Sequence, residues 1–598
     1  MKLGRLLLAS LLLPTLAGCA VQKTEASEVY VKPGDHDQFY AFFSGGHAGQ
    51  VFVYGLPSGR MLNIIPVFSN YPKTGYGFDE ASKKMMGPYT WGDIHHPSLS
   101  KTNGDYDGRW LFVNDMPHAR IARIDLDTFT TGAIFGPIPN ISGLHAGPFV
   151  TNNTHYAFGA SRFAVPMDGK YHPLDSYAQT FDGCIACMNI DQKGNLSMAY
   201  EIHMPPMDFD LASSGKGPSD GWEFFTAYNT ELAHTDLEVA ASQHQQDFIT
   251  AVNWHAALQA VKDGNYTLVN GVKMIDPAKT PGIVYFLPTS KSPHGVDVSP
   301  DGKYICASGK LDPIVVVHST ARMLKAIADK DFDGSWRGIP VLKYADTNVA
   351  EVPVGLGPLH TQFDDKGYAY TSLFVDSAIT KWQLGTWKVI DKIPVNYNIG
   401  HLAVVGGDTV HPVGHYMLAL NKMTKERFLD TGPDYPTNAQ LIDISGDKMR
   451  ELTEWPTLGE PHYATILDAK LVHPLKYYNL ADNHADGAIH SQSEAGVTRH
   501  GNQVDVRIAA IRSHFKPDNI EVKQGDHLTI HVTNIEQDTN IAHGFAIDGS
   551  NVDIEIAPGE TKTVVWDADK PGVVPFYCSN FCSALHQEMQ GYIAVQPR

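Results

Sequence analysis

Along most of the chain, apolar and polar positions alternate over short runs, break at Gly, Pro, Asp or Asn, and resume. VFVYGLPSGRMLNIIPV (51–67), RIARIDLDTFTTGAI (120–134), GVDVSPDGKYICASGK (295–310) and AITKWQLGTWKVIDKIPV (378–395) each predict two strands around a tight polar turn. The unit returns loosely every several tens of residues from about residue 36 to 480. Several such units fit a β-propeller, whose inner strands converge on one axis. Two stretches break the pattern. Residues 253–261 and 321–329 predict short helices, expected as insertions between blades. The segment 481–503, rich in Asn, Ala, Asp and His, predicts a linker. Beyond it VDIEIAPGE, TKTVVWDADKPG and VVPFYC predict a second, smaller β domain over 504–598.

The first residues follow another rule. Lys2 and Arg5 precede an apolar run that ends in Leu16-Ala17-Gly18-Cys19, a lipoprotein cleavage box in which Cys19 becomes the lipidated first residue. The run is too short for a permanent membrane helix. This predicts a signal peptide over 1–18, export by the general secretory route, and a tether over 19–35. The protein would then sit in the periplasm or on the outer face of a membrane, held only by its lipid anchor. Ordinary cleavage to a soluble product is the alternative. The formal net charge of −19 argues against nucleic acid and favours docking of a basic partner. Of six cysteines, Cys184 and Cys187 form a lone CxxC, a weak signal that fits a disulfide or a free pair.

Chemistry concentrates in FYCSNFCSALHQEMQG (576–591). Cys578, Cys582, His586 and Met589 bring two thiolates, an imidazole and a thioether into twelve residues, a soft set suited to copper in electron transfer. A second thiolate that can bridge makes a dinuclear centre the natural reading, and His543 in IAHGF offers the other imidazole. A Cys578–Cys582 disulfide or a zinc site is the bland alternative. The pattern resembles the cupredoxin domain carrying the dinuclear CuA centre of haem-copper oxidases and nitrous oxide reductases. That resemblance implies Cys578, Cys582, His543, His586 and Met589 as ligands, with the main-chain carbonyl of Asn580 as a sixth contact; many relatives have Trp at the Asn580 position.

The chain has 28 histidines. Seven stand in stiff or tight contexts, each with Pro or Gly within two residues: His95 and His96 (GDIHHP), His145 (SGLHAG), His294 (SPHG), His360 (GPLH), His401 (NIGHL) and His462 (EPHY). Apart from the adjacent pair they have no local metal spacing, so only a radial fold could unite them. Their order, followed by a CuA-type domain, resembles nitrous oxide reductase across nearly the whole mature chain. The fold class expected is therefore all-β, a seven-bladed propeller (36–480) followed by a cupredoxin-like sandwich.

The resemblance implies that the seven histidines hold CuZ, a tetranuclear copper sulfide cluster, and that Lys422 and Glu460 lie beside it to assist protonation; a structural salt bridge is the alternative for Lys422. It implies two-electron reduction of N2O, a periplasmic cytochrome c or cupredoxin as donor, and a head-to-tail homodimer. Tyr228, Glu231 and Asp247 resemble part of a calcium site, although their spacing is longer than in the best-known members and Ser292 replaces an Asn. Ala403 replaces a second histidine often found after GHL. The secretory signal, in place of a twin-arginine one, points to an atypical branch. A rival reading makes the chain a CuA electron-transfer module with the propeller as a docking scaffold, and a sensor or copper-storage lipoprotein is a third.

Overall fold

The computed structural model describes residues 28–31, 37–228, 247–423, 437–472, 480–536, 541–583 and 585–598. The signal peptide, Cys19 and Glu231 lie outside these residues, as does the side chain of Tyr228. Seven sheets stand around one axis. Their inner strands, in chain order, are Pro97–Thr102, Leu144–Val150, Asp208–Ser214, Pro293–Val298, Pro358–Phe363, Ile399–Val405 and Ala464–Asp468. Each touches the next, and the last touches the first, so the ring is closed. Closure uses both ends of the propeller segment. Ala464–Asp468 pairs antiparallel with Phe39–Ser44, Phe42 opposite Thr465, and so completes the blade that the N-terminal strands begin.

Burial falls from the inner part of a blade to its rim. Phe39–Ser44 has a neighbouring blade on both faces and is buried at every position, which favours a continuous apolar run over alternation. The outermost strand Val389–Pro394 is partly or fully exposed at every position and carries Asp391 and Lys392 among its apolar residues. Apolar side chains from successive blades interlock between the sheets, Phe42, Val53, Leu111 and Ile124 among them.

Both expected helices form. Trp254–Lys262 is capped by the side chain of Asn253, and Thr320–Asp329 by that of Ser319. They lie within blades, each between the third strand and the fourth, rather than between blades as expected. Each is followed by a hairpin that extends the preceding blade to six strands by parallel pairing, at Glu201↔Met274 and at Phe286↔Val341.

The C-terminal domain is a sandwich of two five-stranded sheets. Its first strand, Gly496–His500, already pairs with Gln503–Ile511, so the sandwich begins inside the segment expected to be linker. In the second sheet His543–Ile547 lies beside Gly572–Tyr577, with Ala546 opposite Tyr577. This antiparallel pairing carries the start of one strand and the end of the other to the same edge. The sandwich is tied to the propeller by a bridge between Thr74 and Ile554 and by Lys73 Nζ, 3.0 Å from Glu555 Oε2.

Candidate metal centres

All seven histidines singled out in the sequence meet at one end of the propeller axis. His145 and His294 are the second residues of their inner strands, His360 and His401 the third, His96 immediately precedes its strand, and His95 and His462 lie two residues before theirs. Parallel inner strands around an axis bring equivalent positions to one level, so residues hundreds apart in sequence become neighbours. Ring centroids are 4.2 Å apart for His95 and His462, 4.7 Å for His96 and His145, 5.0 Å for His294 and His401, and 4.9 Å for His360 and His401. Nitrogen atoms of His95, His145 and His462, and of His96, His401 and His462, lie within 4.8 Å of one another.

Asp210 holds two of the rings. It sits at the third position of Asp208–Ser214, the one inner strand without a histidine from this set. Its Oδ2 lies 2.7 Å from His294 Nδ1, and its main-chain oxygen 2.8 Å from His145 Nδ1. Burial alone would raise its pKa, but His294 and Lys310 hold the carboxylate well below its usual range. Asp93 supports His95 at 2.9 Å and Asp297 supports His360 at 3.1 Å. None of these carboxylates stood out in the sequence. The signal for Asp210 was positional: DFDL occupies the strand start that PHG and LHAG occupy in other blades.

The donor set fits a soft metal cluster. His95 Nδ1, His96 Nε2, His360 Nδ1, His401 Nδ1 and His462 Nε2 are buried without a hydrogen-bond partner. Buried polar nitrogens are normally satisfied, so five orphans in one cluster point to a ligand that takes their lone pairs. Burial pushes His95, His96, His401 and His462 below the usual histidine range. Neutral imidazole is the form that binds metal.

Lys422 and Glu460 stand at the edge of this cluster. Lys422 Nζ donates to Glu460 Oε1 and lies 3.3 Å from His462 Nδ1. Burial lowers the lysine while Glu460 opposes the change. Glu460 is held below the usual carboxylate range because Lys422 outweighs its burial. The two are an ion pair and neighbours of the histidines at once.

The second centre lies at the edge of the sandwich. Cys578 Sγ is 3.9 Å from Cys582 Sγ, 3.9 Å from His543 Nδ1 and 3.1 Å from the Asn580 carbonyl. Cys582 Sγ is 4.0 Å from His586 Nδ1 and 3.9 Å from Met589 Sδ. Both thiols are free and buried, and burial pushes Cys578 up to about 11. A metal is the usual means of keeping such thiolates deprotonated. Gly544 makes the close approach possible: its N–H lies 3.3 Å from Cys578 Sγ, and a Cβ there would stand 2.1 Å from Ser579 Oγ.

Two other expectations fare differently. Cys184 and Cys187, three apart on Gly183–Ile190, point to opposite faces and join separate cores. They form neither a disulfide nor a shared metal site, which leaves the free pair. Of the calcium set, Asp247 is buried and accepts from the Ser292 N–H at 2.7 Å; Glu231 and the side chain of Tyr228 lie outside the described residues.

Comparison with known proteins follows the same division. Residues 392–462 match the nitrous oxide reductase propeller repeat, and 488–595 match a cupredoxin-like domain. Nitrous-oxide reductases of Pseudomonas fluorescens and Stutzerimonas stutzeri are each 34% identical to the chain, over 96% of it and 92% of their own length. Cytochrome c oxidase subunit 2 of Thermus thermophilus is 33% identical over 104 residues, 17% of the chain and 74% of that protein. Likeness to reductases along nearly the full length, over a propeller that gathers seven histidines and a sandwich that gathers two thiols, makes the chain a member of the nitrous-oxide reductase family.

Proposed function

We propose that the protein reduces nitrous oxide to dinitrogen and water, taking up two electrons and two protons, at two copper centres held by the clusters described above. The observation that carries this is the convergence of His95, His96, His145, His294, His360, His401 and His462, five of them with an orphaned buried nitrogen. These seven would hold the tetranuclear copper sulfide cluster CuZ. Bound there, it would supply the metal contacts and electrons needed to activate an inert triatomic molecule. His543, Cys578, Cys582, His586, Met589 and the Asn580 carbonyl would hold dinuclear CuA, which supplies one-electron transfer.

The chain's own groups do the rest. Asp210, Asp93 and Asp297 fix ring orientation by accepting from the nitrogen turned away from the cluster, as outer carboxylates do at metal sites. Lys422, paired with Glu460 and in reach of His462, holds a proton at Nζ beside the site where oxygen must leave as water. Burial of the rings excludes bulk water. Calcium at Tyr228, Glu231 and Asp247 would brace the propeller. The lipidated Cys19 would tether the exported protein outside the inner membrane, where a cytochrome c or cupredoxin would feed CuA. In a head-to-tail homodimer CuA of one protomer would face CuZ of its partner.

The test is consumption of nitrous oxide by copper-loaded protein with a chemical reductant. His294→Ala should abolish turnover and leave the CuA signal intact. Equal turnover in the variant would exclude the histidine cluster as the reaction site. Loss of N2O reduction in the native protein, with CuA intact, would favour the electron-transfer module.

A further inference from the structure

The axis end opposite the histidines is also lined with polar groups, and the two metal clusters do not use them. Lys101, at the far end of the inner strand Pro97–Thr102, is buried and donates from Nζ to Asp408 Oδ2 at 2.9 Å. Asp408 keeps 35% of its side chain accessible, so it stands at the mouth. Tyr106 OH bonds to Asp408 Oδ1, and Thr465 Oγ1 donates to Tyr106 OH at 3.0 Å. Thr465 lies three residues beyond His462 on the last inner strand, a rise of about 10 Å. Tyr463, two residues before Thr465 and so on the same face, lies beneath the histidines. Its ring is 4.9 Å from that of His401 and 5.0 Å from that of His360, and its hydroxyl accepts from Gln362 Nε2 at 2.7 Å.

We propose that protons for the histidine cluster enter the propeller axis from the face opposite it, at Asp408, and advance toward the cluster through the hydroxyls of Tyr106 and Thr465. Thr465 donates to Tyr106, which donates to Asp408; each hydroxyl both donates and accepts, so a proton taken at Asp408 advances as far as Thr465 when these two bonds reverse in turn. The proton comes from solvent, the electrons come from the reductant, and the oxygen leaves as water, so the balance is that of the reaction proposed above, on which this inference rests. In the head-to-tail dimer proposed above, the partner's electron-transfer domain would cover the near face and the far mouth would stay open to solvent.

The surroundings of the column support a proton path. Lys216 is buried and donates to the Val298 carbonyl at 2.8 Å. Glu223 is buried, accepts from Ser214 Oγ at 2.6 Å, and has an Oε1 without a hydrogen-bond partner. Packing does not require either charge, and burying charge is costly. Burial brings Glu223 up to about 8 against the pull of Ser214, Lys101 and Lys216, and brings Lys216 down to about 8 with Lys101 adding to the effect and Asp408 and Asp297 opposing it. Cys187 and Tyr200 are the other titratable groups whose ionisation Glu223 influences.

The test uses copper-loaded enzyme whose metal content and spectra match the native protein. In Asp408→Ala and Tyr106→Phe, turnover should fall about tenfold, most steeply at alkaline pH, with a larger solvent isotope effect. Proton uptake on reduction, followed with an indicator dye, should slow, while electron entry at CuA keeps its rate. Added formate should restore part of the loss in Asp408→Ala. Native uptake and turnover in both variants would overturn the proposal. So would a fall that is uniform with pH and unmoved by formate, or a failure of both variants to hold copper, since each marks a structural role. If native enzyme does not reduce nitrous oxide, the functional reading fails instead, and that result is distinct from either.

Discussion

Asp210 shows how much a single side chain can organise. One carboxylate and its own main-chain oxygen orient His145 and His294, so Asp210→Asn should weaken copper retention at the histidine cluster about 10- to 100-fold. Metal content after dialysis against a chelator checks this, and the CuA signal serves as internal control. Retention equal to the native protein would reduce Asp210 to a packing role. A second prediction concerns pH. Burial pushes Glu201 up to about 7, while bonds from Asn140 and Cys184 pull the other way. The folded chain therefore keeps a proton that the unfolded chain releases near 4.5. The stabilisation this group contributes is fully present below that pH and is lost as pH rises through about 7. Glu201→Gln should flatten the decline by roughly 1–3 kcal/mol between pH 5 and 8, measured by denaturant unfolding. At this scale the sequence exposed the side chains whose type and neighbours were unusual: thiols four apart, and histidines beside Pro or Gly. It hid Asp210 and Asp297, because an acidic residue within an inner strand has nothing to mark it until the blades are assembled.

At the scale of the element, the centres depend on close approach of neighbouring strands. A Cβ on Gly295, next to His294, would stand 2.3 Å from the Leu359 carbonyl on the adjoining inner strand. Gly295→Ala should therefore force the strands apart and cost about 1–3 kcal/mol, with loss of copper at the histidine cluster before loss of CuA. Unfolding and metal analysis of the same sample check both parts. The strands and both helices were legible because their periods and caps are local. The placement of the helices inside blades, and of the strand at Gly496–His500, was not. Those depend on parallel pairing of a hairpin with the previous blade and on a pairing partner beyond the linker, and neither leaves a local mark.

At the scale of the whole molecule, the seven-bladed ring is what converts a scattered sequence pattern into a site. No local motif links His95 to His462, yet their rings are 4.2 Å apart, because the last inner strand closes onto the first. The all-β class and the two domains followed from turn spacing and from the thiol-rich stretch; that the blades share one axis required the closing strand Ala464–Asp468. The proposed assembly makes a further prediction. Sedimentation at assay concentrations should give a dimer, and an active monomer would require electron transfer within one chain.

The most direct measurement is copper and acid-labile sulfide per chain on anaerobically purified protein, read with electron paramagnetic resonance. The account predicts about six copper ions, at least one sulfide, and a mixed-valence dinuclear signal that survives His294→Ala and disappears in Cys582→Ser. Two copper ions and no sulfide in protein that has been fully loaded would contradict it, leaving a CuA domain attached to a propeller without a reaction centre.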